Sequence, residues 1–267
     1  MKKNINDKTS LLEKGVSCLE AKHPSAAISA FQKALQLDPF SAGAYSGIGQ
    51  AFLDLDEFQG AEAALSKSVE LAPTPCRYVL LAYALAQLGR QRKAFRAYKN
   101  ALRMSPANDE ALFNAAMMLK GRHPKVARDL LTRAVNANPN CARYYLELGM
   151  LLNRTRRFQE AKSILETAMK LNADDVWIRV ELANALWRIG EENRAEEVLG
   201  AAARKFPGTA APLWTLASYL EIAGRTHDAG RLFKEAADRE PTDKIAQRML
   251  ADFQERQNDG DGVGPHN

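Results

Sequence analysis

The chain has 267 residues, 46% hydrophobic and 26% charged, with a formal net charge of +5. That is the composition of a folded globular protein, too apolar for a disordered chain. No run approaches the roughly 18 continuous apolar residues of a membrane-spanning helix, so a membrane span is excluded. Three scattered cysteines, Cys18, Cys76 and Cys141, with no CxxC pair, exclude a disulfide framework or zinc ribbon and read as reduced thiols. The opening stretch Met1 to Lys8 is basic, but no apolar signal-peptide core follows it. A cytoplasmic location is therefore expected.

After a flexible lead over residues 1–7, the predicted elements are seven helix–turn–helix repeats. They occupy 8–41, 42–74, 75–108, 109–141, 142–175, 176–209 and 210–243. A closing amphipathic helix spans 244–258, and a Gly-rich polar tail, expected to be disordered, spans 259–267. The repeats rest on columns in phase. Alanines recur at Ala27, Ala61, Ala94, Ala127, Ala161, Ala195 and Ala229. Four residues after each stands a large apolar residue: Phe31, Leu65, Tyr98, Leu131, Leu165, Leu199 and Phe233. Seven after each stands a small one: Ala34, Ser68, Ala101, Ala134, Ala168, Ala202 and Ala236. Twelve after stands a proline, as at Pro39, Pro73, Pro106, Pro139, Pro207 and Pro241, with Ala173 the exception. Twelve before stands Gly or Ala, from Gly15 and Gly49 to Ala217, if the fourth repeat's turn is one residue short and uses Ala116.

Each column has a cause. Small–large–small at spacings of four and three lies on one helical face, so two helices approach over the small residues and the large one fills the gap. Proline stops the second helix and redirects the chain. Gly89, Gly190 and Gly224 fall where the first helix must end. These columns, over roughly residues 8–243, resemble the tetratricopeptide repeat (TPR) family. The resemblance implies an all-α fold, a right-handed superhelix of seven antiparallel helix pairs plus a capping helix, with first helices lining a concave groove. Lys14 and Arg179 depart from it, standing where the family prefers apolar residues.

A search for chemistry finds none. The histidines His23, His123, His227 and His266 are scattered, the first three in turns, so no metal is expected and no cofactor is implied. HExxH, P-loop, GxGxxG and GxSxG patterns are absent, and paired acids such as Glu191-Glu192 read as a solvated face. The chain is read as a non-enzymatic binding scaffold.

Where the scaffold binds is read from the stripe opposite the packing face of each first helix, at its second, fifth, ninth and twelfth positions. Repeats one and two place Thr9, Leu12, Val16, Leu19 and Gly43, Ser46, Gln50, Leu53 there. Later repeats gather Tyr83, Phe113, Met117, Met150, Trp177, Trp187 and Trp214 on it, all three tryptophans included. Aromatic and Met side chains dominate interface energetics. With the polar neighbours Asn114, Arg154, Asn184 and Arg188 they form the expected groove for a protein or peptide segment. The alternative for the same aromatics is packing between neighbouring first helices.

Two subfamily patterns fail on the stripe. The two-carboxylate clamp that grips acidic chaperone tails would need Lys, Asn and Arg where this chain has Leu12, Val16, Gly47, Cys76 and Leu80. The asparagine ladder of glycosyltransferase superhelices is met only by Asn114.

A second site class follows from charge. Residues 71–108 carry seven bases and no acid. Arg90, Arg92, Lys93, Arg96, Lys99 and Arg103, continued by Arg122, Arg156 and Arg157, read as a basic ridge that could attract an anionic partner. No aromatics interleave with it, so nucleic acid is not the expected partner. Self-association through the open ends of the stack is left open.

Overall fold

A computed structural model of the chain describes residues 2–261, with side chains described over 7–258. The described residues form fifteen α-helices and no strand. In the N-terminal half these are α1 (Lys2–Glu20), α2 (Pro24–Leu37), α3 (Ala42–Asp54), α4 (Phe58–Leu71), α5 (Pro75–Gln87), α6 (Gln91–Met104), α7 (Asp109–Leu119) and α8 (Pro124–Ala137). They are followed by α9 (Ala142–Arg154), α10 (Phe158–Leu171), α11 (Val176–Arg188), α12 (Glu192–Lys205), α13 (Ala211–Ile222), α14 (Thr226–Arg239) and α15 (Lys244–Asp261). Seven helix pairs therefore match the seven expected repeats, and α15 closes the series.

The chain divides into two compact units, Met1–Pro139, holding α1 to α8, and Asn140–Asn267, holding α9 to α15. Within each unit a second helix packs on its own first helix and on the first helix of the next repeat, and consecutive first helices also touch.

The columns are the core. All seven alanines of the first column are 0% exposed, and the large residues four positions on are 0–2% exposed. The small residues three further on are again 0% exposed, and Ser68, the only polar one, donates to the carbonyl of Ala42 at 2.7 Å. That hydrogen bond is what makes a buried hydroxyl tolerable.

Local chemistry sets the helix ends. Side chains of Ser41, Thr74, Asn108 and Asp175 accept from backbone amides of the first turns of α3, α5, α7 and α11, satisfying otherwise orphaned donors. In six repeats one residue between the paired helices takes a left-handed backbone: Lys22, Asp56, Gly89, Arg156, Gly190 and Gly224. The fourth repeat has none. There Arg122 and His123 both donate to Leu119, and the residue saved comes from the first helix: α7 has 11 residues where α3, α5, α9 and α11 have 13.

The missing proline at Ala173 and the misplaced Arg179 prove to be one feature. Arg179 Nη2 and Lys205 Nζ both donate to the Ala173 carbonyl, at 2.9 and 3.1 Å, and Lys205 also pairs with Asp174 at 2.5 Å. Cationic side chains hold this repeat boundary where proline rigidity holds the others.

At the end of the chain, α15 covers the last repeat. Ala246 and Phe253 are buried, the Phe253 ring lies 5.2 Å from that of Phe233, and Arg256 pairs with Glu221 at 2.9 Å. Helix α15 runs to Asp261, into the first residues of the predicted disordered tail, and the rest of that tail lies outside the described residues. At the other end α1 is already helical from Lys2, where a flexible lead was expected. Extending an existing helix by a turn is cheap, and Lys8 is tied to Asp38 at 2.8 Å.

Two glycines of α3 test this packing. A Cβ on Gly47 would sit 2.3 Å from the Phe31 ring, whereas one on Gly43 meets nothing within 4 Å. Gly47→Ala is expected to cost about 1–3 kcal/mol by overpacking, and Gly43→Ala to leave stability unchanged or raise it by up to about 1 kcal/mol. Urea unfolding of the two variants checks this, and equal stabilities would contradict the packing.

Candidate functional site

Two clefts open on the first-helix surfaces, one in each compact unit, with opposite chemistry. The N-terminal one, about 390 Å³, is lined by Leu12, Val16, Leu19, Phe31, Gly43, Ser46, Gly47, Gln50, Arg77 and Leu80, from α1, α2, α3 and α5. Its origin is the run of small residues on α3. Gly43, Ser46 and Gly47 leave a hollow between the leucines and valine of α1 and Leu80 of α5, and Phe31 packs directly beneath Gly47. The polar groups at its rim are engaged within the fold. Gln50 donates to Asp54 at 3.0 Å, and Arg77 donates to the Ala72 carbonyl at 2.6 Å. Four of the five positions at which the chaperone-tail clamp would carry polar residues, Leu12, Val16, Gly47 and Leu80, line this apolar cleft.

The C-terminal cleft, about 490 Å³, is lined by Asn153, Arg154, Arg156, Phe158, Asn184 and Arg188. Asn153 and Arg154 end α9, Arg156 is the left-handed residue of the following turn with φ of 61°, and Arg188 ends α11 one turn beyond Asn184. The amides are oriented by neighbours. Asn153 Nδ2 donates to the carbonyl and the carboxylate of Glu181, at 2.9 and 2.8 Å, leaving its Oδ1 buried without a partner. The Tyr219 hydroxyl donates to Asn184 Oδ1. Tyr219 in turn stacks on Trp187, with centroids 4.5 Å apart and planes 8° from parallel.

The groove residues read from sequence divide accordingly. Tyr83 and Trp177 are open, at 42% and 46% exposure, while Asn114, Met117 and Met150 are half-buried. Arg154, Asn184 and Arg188 come together in the C-terminal cleft. Phe113 is a correction. At 4% exposure it is core, so packing, not partner contact, accounts for it. Trp187 keeps one face against Tyr219, and Trp214 packs half-buried on the core of the last repeat with its indole N–H buried and unpartnered.

The hollow of α1, α3 and α5 was not singled out, although its residues stood on the stripe. The signal was two small residues at neighbouring stripe positions, Gly43 and Ser46, with Gly47 beside them, flanked by leucine and valine.

The basic ridge is also redistributed. Arg90 pairs with Glu62, Arg157 with Glu160 at 2.6 Å, and Arg156 belongs to the C-terminal cleft. Arg92, Arg96, Lys99 and Arg103 remain as an exposed line on α6, beside exposed Lys93, and Arg122 is exposed farther along the same unit. Among the described residues no three His, Cys, Asp or Glu side chains gather as a metal site would require, and no helix is long and apolar enough to cross a membrane.

Burial pushes two phenols, Tyr98 and Tyr219, above the ordinary tyrosine range, with the charges of Glu110 and Glu181 acting in the same direction. An unfolded chain releases such protons near pH 10, while the folded chain retains them. The stability they contribute is complete below about pH 10 and is lost as pH rises beyond it. Tyr219→Phe should flatten this alkaline loss as followed by urea midpoints, and should cost about 0.5–1.5 kcal/mol at neutral pH through the lost bond to Asn184. An unchanged alkaline slope in the variant would refute the assignment.

Comparison with known proteins agrees with this architecture. Tetratricopeptide repeat models match residues 12–74 and 118–176, 77–108, and 152–218. The TPR repeat-containing protein PA4667 of Pseudomonas aeruginosa is 30% identical over 132 residues, 49% of this chain and 22% of that protein. The chain spans less than a third of the length of the curated relatives it matches. Among solved structures, a tetratricopeptide repeat protein from Parabacteroides merdae superposes with a TM-score of 0.64 at 15% identity, over 93% of this chain and 99% of that one. YrrB, a TPR protein with an unusual peptide-binding site, superposes with a TM-score of 0.60 at 21% identity, over 70% of this chain and 98% of that one. With a buried alanine column of seven members, paired helices in the matching register and repeat models covering most of its length, the chain belongs to the tetratricopeptide repeat family.

Proposed function

We propose that the chain is a non-enzymatic protein–protein interaction scaffold, working in the cytoplasm, which binds a partner segment through apolar anchors on its first-helix surface. The observation that carries this reading is the hollow over Gly43, Ser46 and Gly47, walled by Leu12, Val16 and Leu80. Its volume suits one or two apolar side chains. Filling it removes apolar surface from water at about 25 cal/mol per Å², without breaking a hydrogen bond of the fold. The family's chaperone-tail clamp uses this position for carboxylates, and here an apolar lining favours a different peptide. The fold likeness to YrrB, a peptide-binding TPR protein, supports the same class of role.

Gly43 provides a clean test because a side chain there points into open space. Gly43→Leu should fill the hollow and leave the melting temperature unchanged or higher. On an array of random peptides, binding to those with apolar anchors should fall by about tenfold or more, as expected for losing an anchor residue's pocket. Identical array profiles for native protein and variant would remove the reading.

A second reading, an anionic partner on the basic ridge, is favoured by one observation. Arg92, Arg96, Lys99 and Arg103 recur at spacings of four, three and four on one line of α6, with no acid on that helix. Affinity through that line would fall steeply with salt through counterion release, whereas binding in the apolar hollow would barely respond.

A further inference from the structure

We infer that the cleft of α9 and α11 is a second recognition site, one that takes the carboxylates of an acidic peptide segment; this rests on the reading of the chain as a peptide-binding scaffold. Arg154, Arg156 and Arg188 converge on one cleft of about 490 Å³. Arg156 and Arg188 are in no ion pair or side-chain hydrogen bond among the described residues. Several other arginines, Arg90, Arg194, Arg225, Arg239 and Arg256, each meet a glutamate. Two unpaired guanidinium groups beside a third leave positive charge that the fold does not neutralise.

The amides sharpen the chemistry. Asn184 has its carbonyl oxygen engaged by Tyr219, and its NH2 is available to donate. Glu181, an acid beside the cleft, is held by Asn153. Three guanidinium groups and the Asn184 NH2 outnumber the one unpartnered acceptor of the lining, Asn153 Oδ1, so the complement of the cleft is an acceptor bearing negative charge. Guanidinium forks match planar carboxylates with paired hydrogen bonds. Nucleic acid fits less well, because no fully open aromatic stands in the lining for stacking: Trp187 has one face taken by Tyr219, and Phe158 is half-buried. The site lies at the C-terminal ends of first helices and in a turn, and of its residues only Asn184 stands at a stripe position that the family's carboxylate clamp uses.

The Trp187–Tyr219 stack and the Tyr219–Asn184 hydrogen bond fix one wall before any ligand arrives. Such preorganisation lowers the ordering cost of binding.

The test is fluorescence anisotropy of the full chain with labelled hexaglutamate, hexaglutamine and hexathymidylate. Native protein should bind hexaglutamate in preference to hexaglutamine. The double variant Arg156→Gln with Arg188→Gln should weaken hexaglutamate binding by about tenfold or more, the scale for losing charge-assisted hydrogen bonds. The triple variant Arg96→Gln, Lys99→Gln and Arg103→Gln, in the other unit, should change it by no more than about twofold, as remote exposed charges do. The inference is overturned if native protein does not bind hexaglutamate, or if the two variants lose affinity equally, which would mean diffuse attraction. It is also overturned if hexathymidylate binds as tightly and is weakened by the same double variant. Gly43→Leu should retain hexaglutamate binding. A failed peptide array with intact hexaglutamate binding would thus remove the apolar hollow alone, and the converse would remove this cleft alone.

Discussion

An alanine without solvent exposure, with a large apolar residue one turn later and another small residue after that, recurs in every repeat. Two helices can approach closely only where side chains are small, and the approach has value only if the gap is filled. A single buried Leu or Phe supplies about 1.5–3 kcal/mol, too little to hold a helix pair by itself. Within each unit, stability therefore comes from second helices packing on two first helices, their own and the next, so repeats depend on their neighbours. The last repeat lacks a successor, and α15 takes that place with Ala246 and Phe253, as a first helix would.

This contact also explains where function can reside. Residues in the columns are committed to packing, so the free choices lie on the opposite stripe and in the turns. The two clefts use those choices in different ways. The N-terminal one is made by withholding bulk at Gly43, Ser46 and Gly47, and the C-terminal one by concentrating guanidinium groups at helix ends. A scaffold with an apolar hollow and a donor-rich cleft can read two features of a partner, where area alone gives little discrimination.

Much of the fold was legible in the sequence because its determinants are local and periodic. Buried columns at fixed spacing disclosed the repeat number, the register and the fourth repeat's missing residue, though that residue is lost from α7 and not from the turn. The compensation at Ala173 was less legible, since Arg179 lies six residues on and Lys205 in another helix. The site was legible only as a surface. Periodicity gives the face a residue points to and says nothing of depth, so Phe113 on the chosen stripe proved buried while Trp177 proved open. Large side chains were weighed as binding anchors, yet a receptor for an anchor is a hollow, and hollows are written in small residues from several helices. The partnering of Trp187 with Tyr219 likewise joins residues 32 positions apart, beyond any local pattern.

The turns add a last consideration. Six repeats place a left-handed residue between their helices, and three of them use glycine. The other three use Lys22, Asp56 and Arg156, where a side chain costs roughly 1–2 kcal/mol relative to glycine. Folding alone would favour glycine at all six, as at Gly89, Gly190 and Gly224. Of the three that keep a side chain, Arg156 lines a cleft of the first-helix surface beside two further arginines. Local strain retained at a position that also gathers unneutralised charge is what a binding site would require.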